Sequence, residues 1–260
     1  MSLEPMWPST SRPAIRTPEL LPDLRPFLVD LAGGPAYLGY REESMDPELA
    51  DLIRGLWPSV PAMLALGIDS LITIGELLPI MTHYGDRVIV GAAEFAPYLD
   101  LFERFGLECV TVPQDSDGLD IEAVRRAVRA GAALVVLQPR VHNPTGVAMT
   151  PDRLEQIAAV CRDHDCPILE IDHFGRLGSA PAMSAACLAP DQTVHLRTFS
   201  KDLHPDLRVC AFAGPADLLS RVQQRRIGGT WISRVNQRLL AASRRPERGA
   251  SSRPRRCPPG

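Results

Sequence analysis

Between residues 46 and 242 the sequence alternates between two hydrophobic periods, and this alternation restricts the fold more than any other property of the chain. Residues 46 to 57 carry Leu49, Leu52, Ile53 and Leu56 at helical spacing, and residues 70 to 82 repeat the pattern with Leu71, Ile74, Leu77, Leu78 and Met81. A turn at Tyr84-Gly85-Asp86 leads into an apolar run, 87 to 90, that predicts a strand. Helices over 98 to 105 and 121 to 129 then alternate with strands over 108 to 112 and 133 to 137. Thr150 before Pro151 marks a helix start, because the hydroxyl can accept an orphan N–H and proline lacks one where none is needed. That helix runs to about His164 and is followed by strands over 167 to 171, 194 to 197 and 208 to 212, then helices over 215 to 225 and 230 to 242.

Short apolar strands separated by helices predict an α/β fold with a mostly parallel sheet flanked by helices on both faces. Ligands of such sheets sit beyond the carboxyl ends of the strands, and the polar clusters of this chain fall in the loops at those ends. No internal repeat and no G-x-G-x-x-G loop is present. A chain of 260 residues can bury a core without disulfide or metal, and its six cysteines lack paired metal-ligand spacing. They read as reduced, mostly buried thiols. No N-terminal apolar h-region and no membrane-length apolar run occurs, so the expectation is a cytoplasmic protein without a membrane partner. Residues 1–35 are Pro-rich and read as an N-terminal arm, 36–243 as the folded large domain. Residues 244–260, with six Arg and one Glu among Pro, Ser and Gly, read as a disordered tail. The tail leaves nonspecific contact with nucleic acid open, but no specific nucleic-acid partner is expected.

The 28 basic residues are 27 arginines and one lysine, Lys201. A composition biased to Arg leaves an occasional Lys by chance. The alternative is chemistry closed to a guanidinium, since a lysine amine can lose its proton and attack a carbonyl as a Schiff-base nucleophile. The neighbours favour the second reading. Thr198 and Ser200 lie three and one residues before the amine and Arg208 seven after it, an anion site beside a nucleophile, as a phosphorylated aldehyde requires.

The run Thr198-Phe199-Ser200-Lys201-Asp202-Leu203-His204-Pro205-Asp206-Leu207-Arg208 resembles the cofactor-lysine motif of the fold-type I pyridoxal-phosphate enzymes, the aminotransferase class I/II family. Its S-K-x-L-x-P-x-L-R form is closest to the aminotransferase domains allied to MocR-type proteins. Val141-His142-Asn143-Pro144-Thr145-Gly146, 58 residues before Lys201 when counted from Asn143, resembles the family's N-P-T-G turn, whose Asn bonds the phenolic oxygen of the cofactor. Asp172, 29 residues beyond Asn143, stands where the family's carboxylate pairs with the pyridine nitrogen. Gly67-Ile68-Asp69-Ser70 resembles the G-x-G-S loop at a helix N-terminus that cradles the phosphate. Phe95 occupies the place of the aromatic that stacks on the ring.

The resemblance implies a mostly parallel seven-stranded sheet flanked by helices, pyridoxal 5'-phosphate as cofactor, and a homodimer acting on an amino-acid or keto-acid substrate. Lys201 and Asp172 would be the catalytic pair, with Ser70, Thr198, Ser200 and Arg208 on the phosphate. Tyr40, or Tyr37, would reach the neighbouring subunit's phosphate. Four departures accompany it. Asp69 replaces the second glycine of the phosphate loop. Phe174 stands near the family's phenol-bonding Tyr and cannot donate, so that either His173 substitutes or Asn143 acts alone. The chain passes into the Arg/Pro tail where the family continues into a small domain carrying a substrate-gripping Arg. Residues 1–35 offer no three-helix pattern, which disfavours a winged-helix regulator. The expected function is a pyridoxal-phosphate aminotransferase. The alternatives are a truncated or degenerate domain with little catalysis, and a lyase or cyclase of secondary metabolism.

Overall fold

The structure, a computed structural model, describes residues 23–32, 45–177, 183–201, 203–226 and 231–244. In chain order the first elements are α1 (Arg25–Ala32), α2 (Pro47–Leu56), β1 (Met63–Gly67), α3 (Ser70–Met81), β2 (Arg87–Gly91), α4 (Ala96–Arg104) and β3 (Glu108–Val112). A small hairpin, β4 (Gln114–Asp115) and β5 (Gly118–Leu119), precedes α5 (Ile121–Arg129), β6 (Leu134–Leu137), α6 (Pro151–Asp163) and β7 (Ile168–Asp172). The chain then forms α7 (Ala185–Leu188), β8 (Thr193–Thr198), β9 (Cys210–Gly214), α8 (Ala216–Arg225) and α9 (Arg234–Arg244).

Seven strands make one sheet in the order β1-β9-β8-β7-β6-β2-β3. The pairs β2–β3, β2–β6, β6–β7 and β7–β8 are parallel. Only β9 runs the other way, antiparallel to both β1 and β8. The expected α/β fold, a mostly parallel seven-stranded sheet flanked by helices, is therefore what the chain adopts.

Both faces are covered, which is why a strand such as β6 reads as an unbroken apolar run. Ile74, Leu77 and Leu78 of α3, Tyr98 and Phe102 of α4 and Leu219 and Val222 of α8 pack against Val88, Val136, Leu169, Leu196 and Phe212 on one face. On the other face α5, α6 and α7 cover Ile89, Val135 and Ile168, while α2 and α9 cover Leu66, Ala211 and Ala213. The side chains of Ile74, Leu77 and Leu78 are fully buried, and each contributes about 2 kcal/mol. That contact fixes α3, and with it the position of its N-terminus.

The pattern misses β1. Its Met-Leu-Ala-Leu-Gly sequence contains no β-branched residue and reads equally as helix; edge pairing with β9 makes it a strand. The last strand begins at Cys210 rather than at residue 208, because a 3-10 turn over Pro205–Leu207 and a left-handed Arg208 (φ 45°) precede it. Among the described residues Cys109, Cys161, Cys166 and Cys210 are free thiols, and the last three of them are buried. Among the described residues no helix is long and apolar enough to cross a membrane.

Candidate active site

Parallel strands end at one edge of the sheet, so the loops that follow them meet there. The loop after β1 delivers Asp69 and Ser70, that after β2 Glu94 and Phe95, and that after β6 Gln138 to Asn143. The end of β7 supplies Asp172, His173 and Phe174, and the end of β8 supplies Thr198, Ser200 and Lys201. Arg208 precedes its strand, yet it arrives at the same edge because β9 is antiparallel: Cys210 lies opposite both Gly67 and Thr198. Reversal of one strand thus gathers the described residues of the sequence-predicted site. Tyr40 and Tyr37 lie outside the described residues.

Asp172 is 2% exposed and faces one backbone N–H and two guanidiniums. Gly175 N–H donates to Oδ1 at 2.8 Å, and Oδ2 faces Arg140 Nη1 at 3.2 Å and Arg197 Nη1 at 3.8 Å. Burial by itself would push this carboxyl up. The charges of Arg197, His195 and Arg140, with the Gly175 bond, outweigh it and hold Asp172 below the usual carboxylate range. Two residues back on the same face of β7, the fully buried Glu170 accepts Ser184 Oγ–H at 2.8 Å and Ala185 N–H at 2.7 Å. Its other oxygen lies 3.8 Å from His195 Nε2, and burial raises Glu170 to about 7 while lowering His195 to about 4. A column of buried titratable groups, which burial drives toward their neutral forms, therefore stands beneath Asp172.

His173 points into an aromatic wall. It is hydrogen-bonded to the Tyr98 hydroxyl, stacks on that ring at 14° and 5.6 Å, and meets Phe95 at 6.2 Å and Phe174 at 6.4 Å. Burial first, and then the charge of Lys201, lower the imidazole to about 4, against opposing effects of Asp172 and Asp69, so the ring is neutral near pH 7. Of the two roles open for His173, the structure gives its ring nitrogen a protein partner, Tyr98. Phe95 closes the wall with its edge toward Tyr98 at 5.2 Å.

Asn143 is held by a network that sequence reasoning did not find. Its N–H donates to Gln138 Oε1 at 3.2 Å, and Gln138 Nε2 donates to Asn143 O at 3.3 Å and to Glu94 Oε1 at 2.6 Å. The same Glu94 oxygen accepts Phe95 N–H at 2.8 Å, and the other stands 3.7 Å from His142 Nε2. The Asn143 turn and the aromatic wall are thus tied to one buried carboxylate. Arg140 and Tyr98 were missed as well. A single Arg and a single apolar-face Tyr carry no motif, and only the fold brings them to the site.

At the other end Thr198 Oγ donates to Ser200 Oγ at 3.2 Å, and Ser200 N–H donates to Thr198 Oγ1 at 3.3 Å. In the phosphate loop Asp69 caps α3: its Oδ1 accepts Leu71 N–H at 2.8 Å, and its Oδ2 pairs with Arg208 Nη1 at 3.0 Å. Ser70 is the first helical residue and is 7% exposed. An aspartate at this position is a good helix cap for the same reason that an anion binds there.

These residues fit, in kind, the phosphorylated pyridine aldehyde that the motifs imply. A half-buried amine, a buried ionised carboxylate for a ring nitrogen, an amide side chain, an aromatic face, two hydroxyls and a guanidinium share one edge. The Asp69 carboxylate is the one group of the wrong sign.

The sequence profile of the family described as aminotransferase class I and II matches residues 51–251. The vitamin B6 salvage pathway transcriptional repressor PtsJ of Salmonella typhimurium is 30% identical over 230 residues, covering 86% of this chain and 53% of the repressor. Aromatic-amino-acid aminotransferase 1 of Thermococcus litoralis is 24% identical over 148 residues, covering 54% of this chain and 36% of that enzyme. The solved structure of the α-aminoadipate aminotransferase LysN from Thermus thermophilus, complexed with N-(5'-phosphopyridoxyl)-L-leucine, has a TM-score of 0.77 at 20% identity and covers 87% of this chain and 61% of that one. That of the Pyrococcus horikoshii kynurenine aminotransferase gives 0.74 at 21% identity, covering 84% and 58%. At these identities the solved structures speak for the fold alone. The chain spans about half the length of the repressor it matches.

Proposed function

The chain belongs to the aminotransferase class I and II family, and from that premise we propose that it is a pyridoxal-phosphate domain acting on the amino group of an amino acid or its keto acid, with Lys201 as the attachment residue. The observation that carries the reading is the convergence of Lys201, Asp172, Asn143 and the anion donors Ser70, Thr198, Ser200 and Arg208 at one sheet edge. Pyridoxal 5'-phosphate, the cofactor of the family, supplies an aldehyde for the amino group and a ring that withdraws electrons from the adjacent carbon.

Each residue of the chain then has a definable task. Lys201 Nζ would hold the cofactor and, once released, take and return the substrate's α-proton. Asp172, kept ionised by its guanidinium neighbours, would face the ring nitrogen and keep a proton on it. Asn143 would donate to the phenolic oxygen, and Phe95 would lie against the ring and exclude water. Thr198, Ser200, Arg208 and Ser70 would bind the phosphate, Arg208 by the strongest contact. The expected large domain, residues 36–243, is the unit proposed for this task, and a second copy of the chain is the proposed partner, bringing Tyr40 to the neighbouring site.

A second reading is favoured by one finding, the likeness to a repressor of vitamin B6 salvage over 86% of this chain. On that reading the same site holds the cofactor and reports it without turnover.

The test begins with pyridoxal phosphate added to the purified protein. The expected result is a new visible absorption band and, after borohydride, mass fixed on Lys201, both lost in Lys201→Arg, which keeps the charge but not the nucleophile. Absence of the adduct in the native chain would end the reading. If the adduct forms, a panel of amino acids decides between the two roles: conversion to the pyridoxamine form marks an aminotransferase, and retention without conversion marks a sensor.

A further inference from the structure

The loop between β1 and α3 and the turn before β9 come together because Gly67 and Cys210 are register partners. Asp69 stands two residues after Gly67, and Arg208 two residues before Cys210. Asp69 takes a backbone N–H of the first turn of α3 on one oxygen, 2.8 Å from Leu71 N, and the Arg208 guanidinium on the other at 3.0 Å. These are the two kinds of donor that a phosphate would require here, the unsatisfied N–H groups of a helix start and a forked cation. Both are already committed to an anion of the chain itself.

We propose that Asp69 is a built-in surrogate for the cofactor's phosphate, and that it sets how strongly this chain prefers a phosphorylated to an unphosphorylated pyridoxal. This rests on the reading of the Lys201 edge as a pyridoxal-phosphate site. An incoming phosphate carries up to two negative charges near neutrality. It must displace the Asp69 carboxylate from Arg208 or bind beside it against like-charge repulsion. In both cases part of the phosphate's attraction is spent on Asp69. The ring end of the ligand feels less of this, because Asp172, Asn143 and Phe95 lie on other loops. The chain should therefore bind the phosphorylated form only modestly better than pyridoxal. The two Asp69 partners differ in exposure, with the Asp69 side chain 15% exposed and that of Arg208 51%, so the guanidinium is free to swing toward a new anion.

The test compares the native chain with Asp69→Asn, which retains helix-capping ability and removes only the charge. Asp69→Ser, another good cap, is the second variant should the first fold poorly. Inorganic phosphate, at ionic strength held constant with chloride, is expected to raise the melting temperature of the variants and not of the native chain. Equilibrium titration is expected to show pyridoxal phosphate binding Asp69→Asn about tenfold more tightly than the native chain, with pyridoxal changed less than about twofold. Equal phosphate response in native and variant chains overturns the proposal, as does an equal gain for both vitamers. The phosphate arm does not depend on Lys201. If no adduct forms on Lys201 in any chain but phosphate still stabilises Asp69→Asn alone, the pyridoxal-phosphate reading fails while the role of Asp69 as an internal anion stands.

Discussion

Arg197 lies opposite Asp172 in the parallel pairing of β7 with β8, and its Nη1 stands 3.8 Å from Asp172 Oδ2. With Arg140 at 3.2 Å, one buried carboxylate answers two guanidiniums. Asp172→Asn leaves both cations without their shared counter-charge, and the expected loss is about 3 kcal/mol of unfolding free energy. Urea titration of the two proteins measures it. A difference below about 1 kcal/mol would mean that groups other than Asp172 satisfy the arginines.

The buried histidines and Glu170 predict how stability follows pH. Burial lowers His173 and His195 from 6.5 to about 4 and raises Glu170 from 4.5 to about 7. Between pH 4.5 and 6.5 the unfolded chain binds protons on two imidazoles that the folded chain refuses, so these groups make stability rise with pH. Glu170 acts in the opposite sense, since the folded chain keeps a proton there that the unfolded chain releases. Two against one gives a net rise of about 1.4 kcal/mol per pH unit from these three groups. In Glu170→Gln the opposing group is gone, and the slope is expected to steepen to roughly twice that value. Melting curves across the window decide it, and a slope unchanged by the substitution refutes the assignment.

Tyr98→Phe keeps the ring packing of the aromatic wall and removes the hydroxyl bonded to His173. A buried ring nitrogen loses its partner, at a cost of about 1 to 2 kcal/mol. Denaturant unfolding measures the cost, and a neutral result would show that His173 finds another partner.

Gly67 is a position where any side chain should fail. A Cβ there would stand 1.9 Å from Thr73 Oγ1 and 2.7 Å from Cys210 Sγ, atoms that are themselves 3.2 Å apart. Gly67→Ala must push α3 away from the β1–β9 pair, with an expected loss of about 3 kcal/mol. The same shift separates Asp69 from Arg208, so the response to inorganic phosphate should change along with the melting temperature. An alanine variant as stable as the native chain would contradict the packing.

The sequence foretold those parts of the molecule in which the local pattern and the tertiary environment agree. A strand such as β6, buried on both faces, is apolar along its length, and α6 announces itself through Thr150 and Pro151. Asn143, Asp172 and Lys201 were legible because each sits in a run of residues with its own chemistry. β1 was not, since Met-Leu-Ala-Leu-Gly becomes a strand only by pairing with β9. Arg140, Tyr98, Glu94 and Gln138 were hidden for a related reason. Their partners lie in other loops, and no spacing along the chain encodes an approach made in space. Asp69 was seen as a departure, but its meaning waited on Arg208.

The antiparallel course of β9 also bears on the order in which the molecule is built. Asn143, Asp172 and Lys201 belong to the consecutive units β6, β7 and β8, whose pairings span short stretches of chain. Asp69 and Arg208 meet only when β1 closes on β9, a contact between segments about 140 residues apart, and such closures come late because their entropy is met only by contacts already formed. The ring-holding half of the site should thus mature before the phosphate-holding half. Pulse-labelled amide exchange during refolding should protect β6 to β8 ahead of β1. A nascent or partly unfolded chain would then already possess the place for a pyridine ring while still lacking the means to read its phosphate.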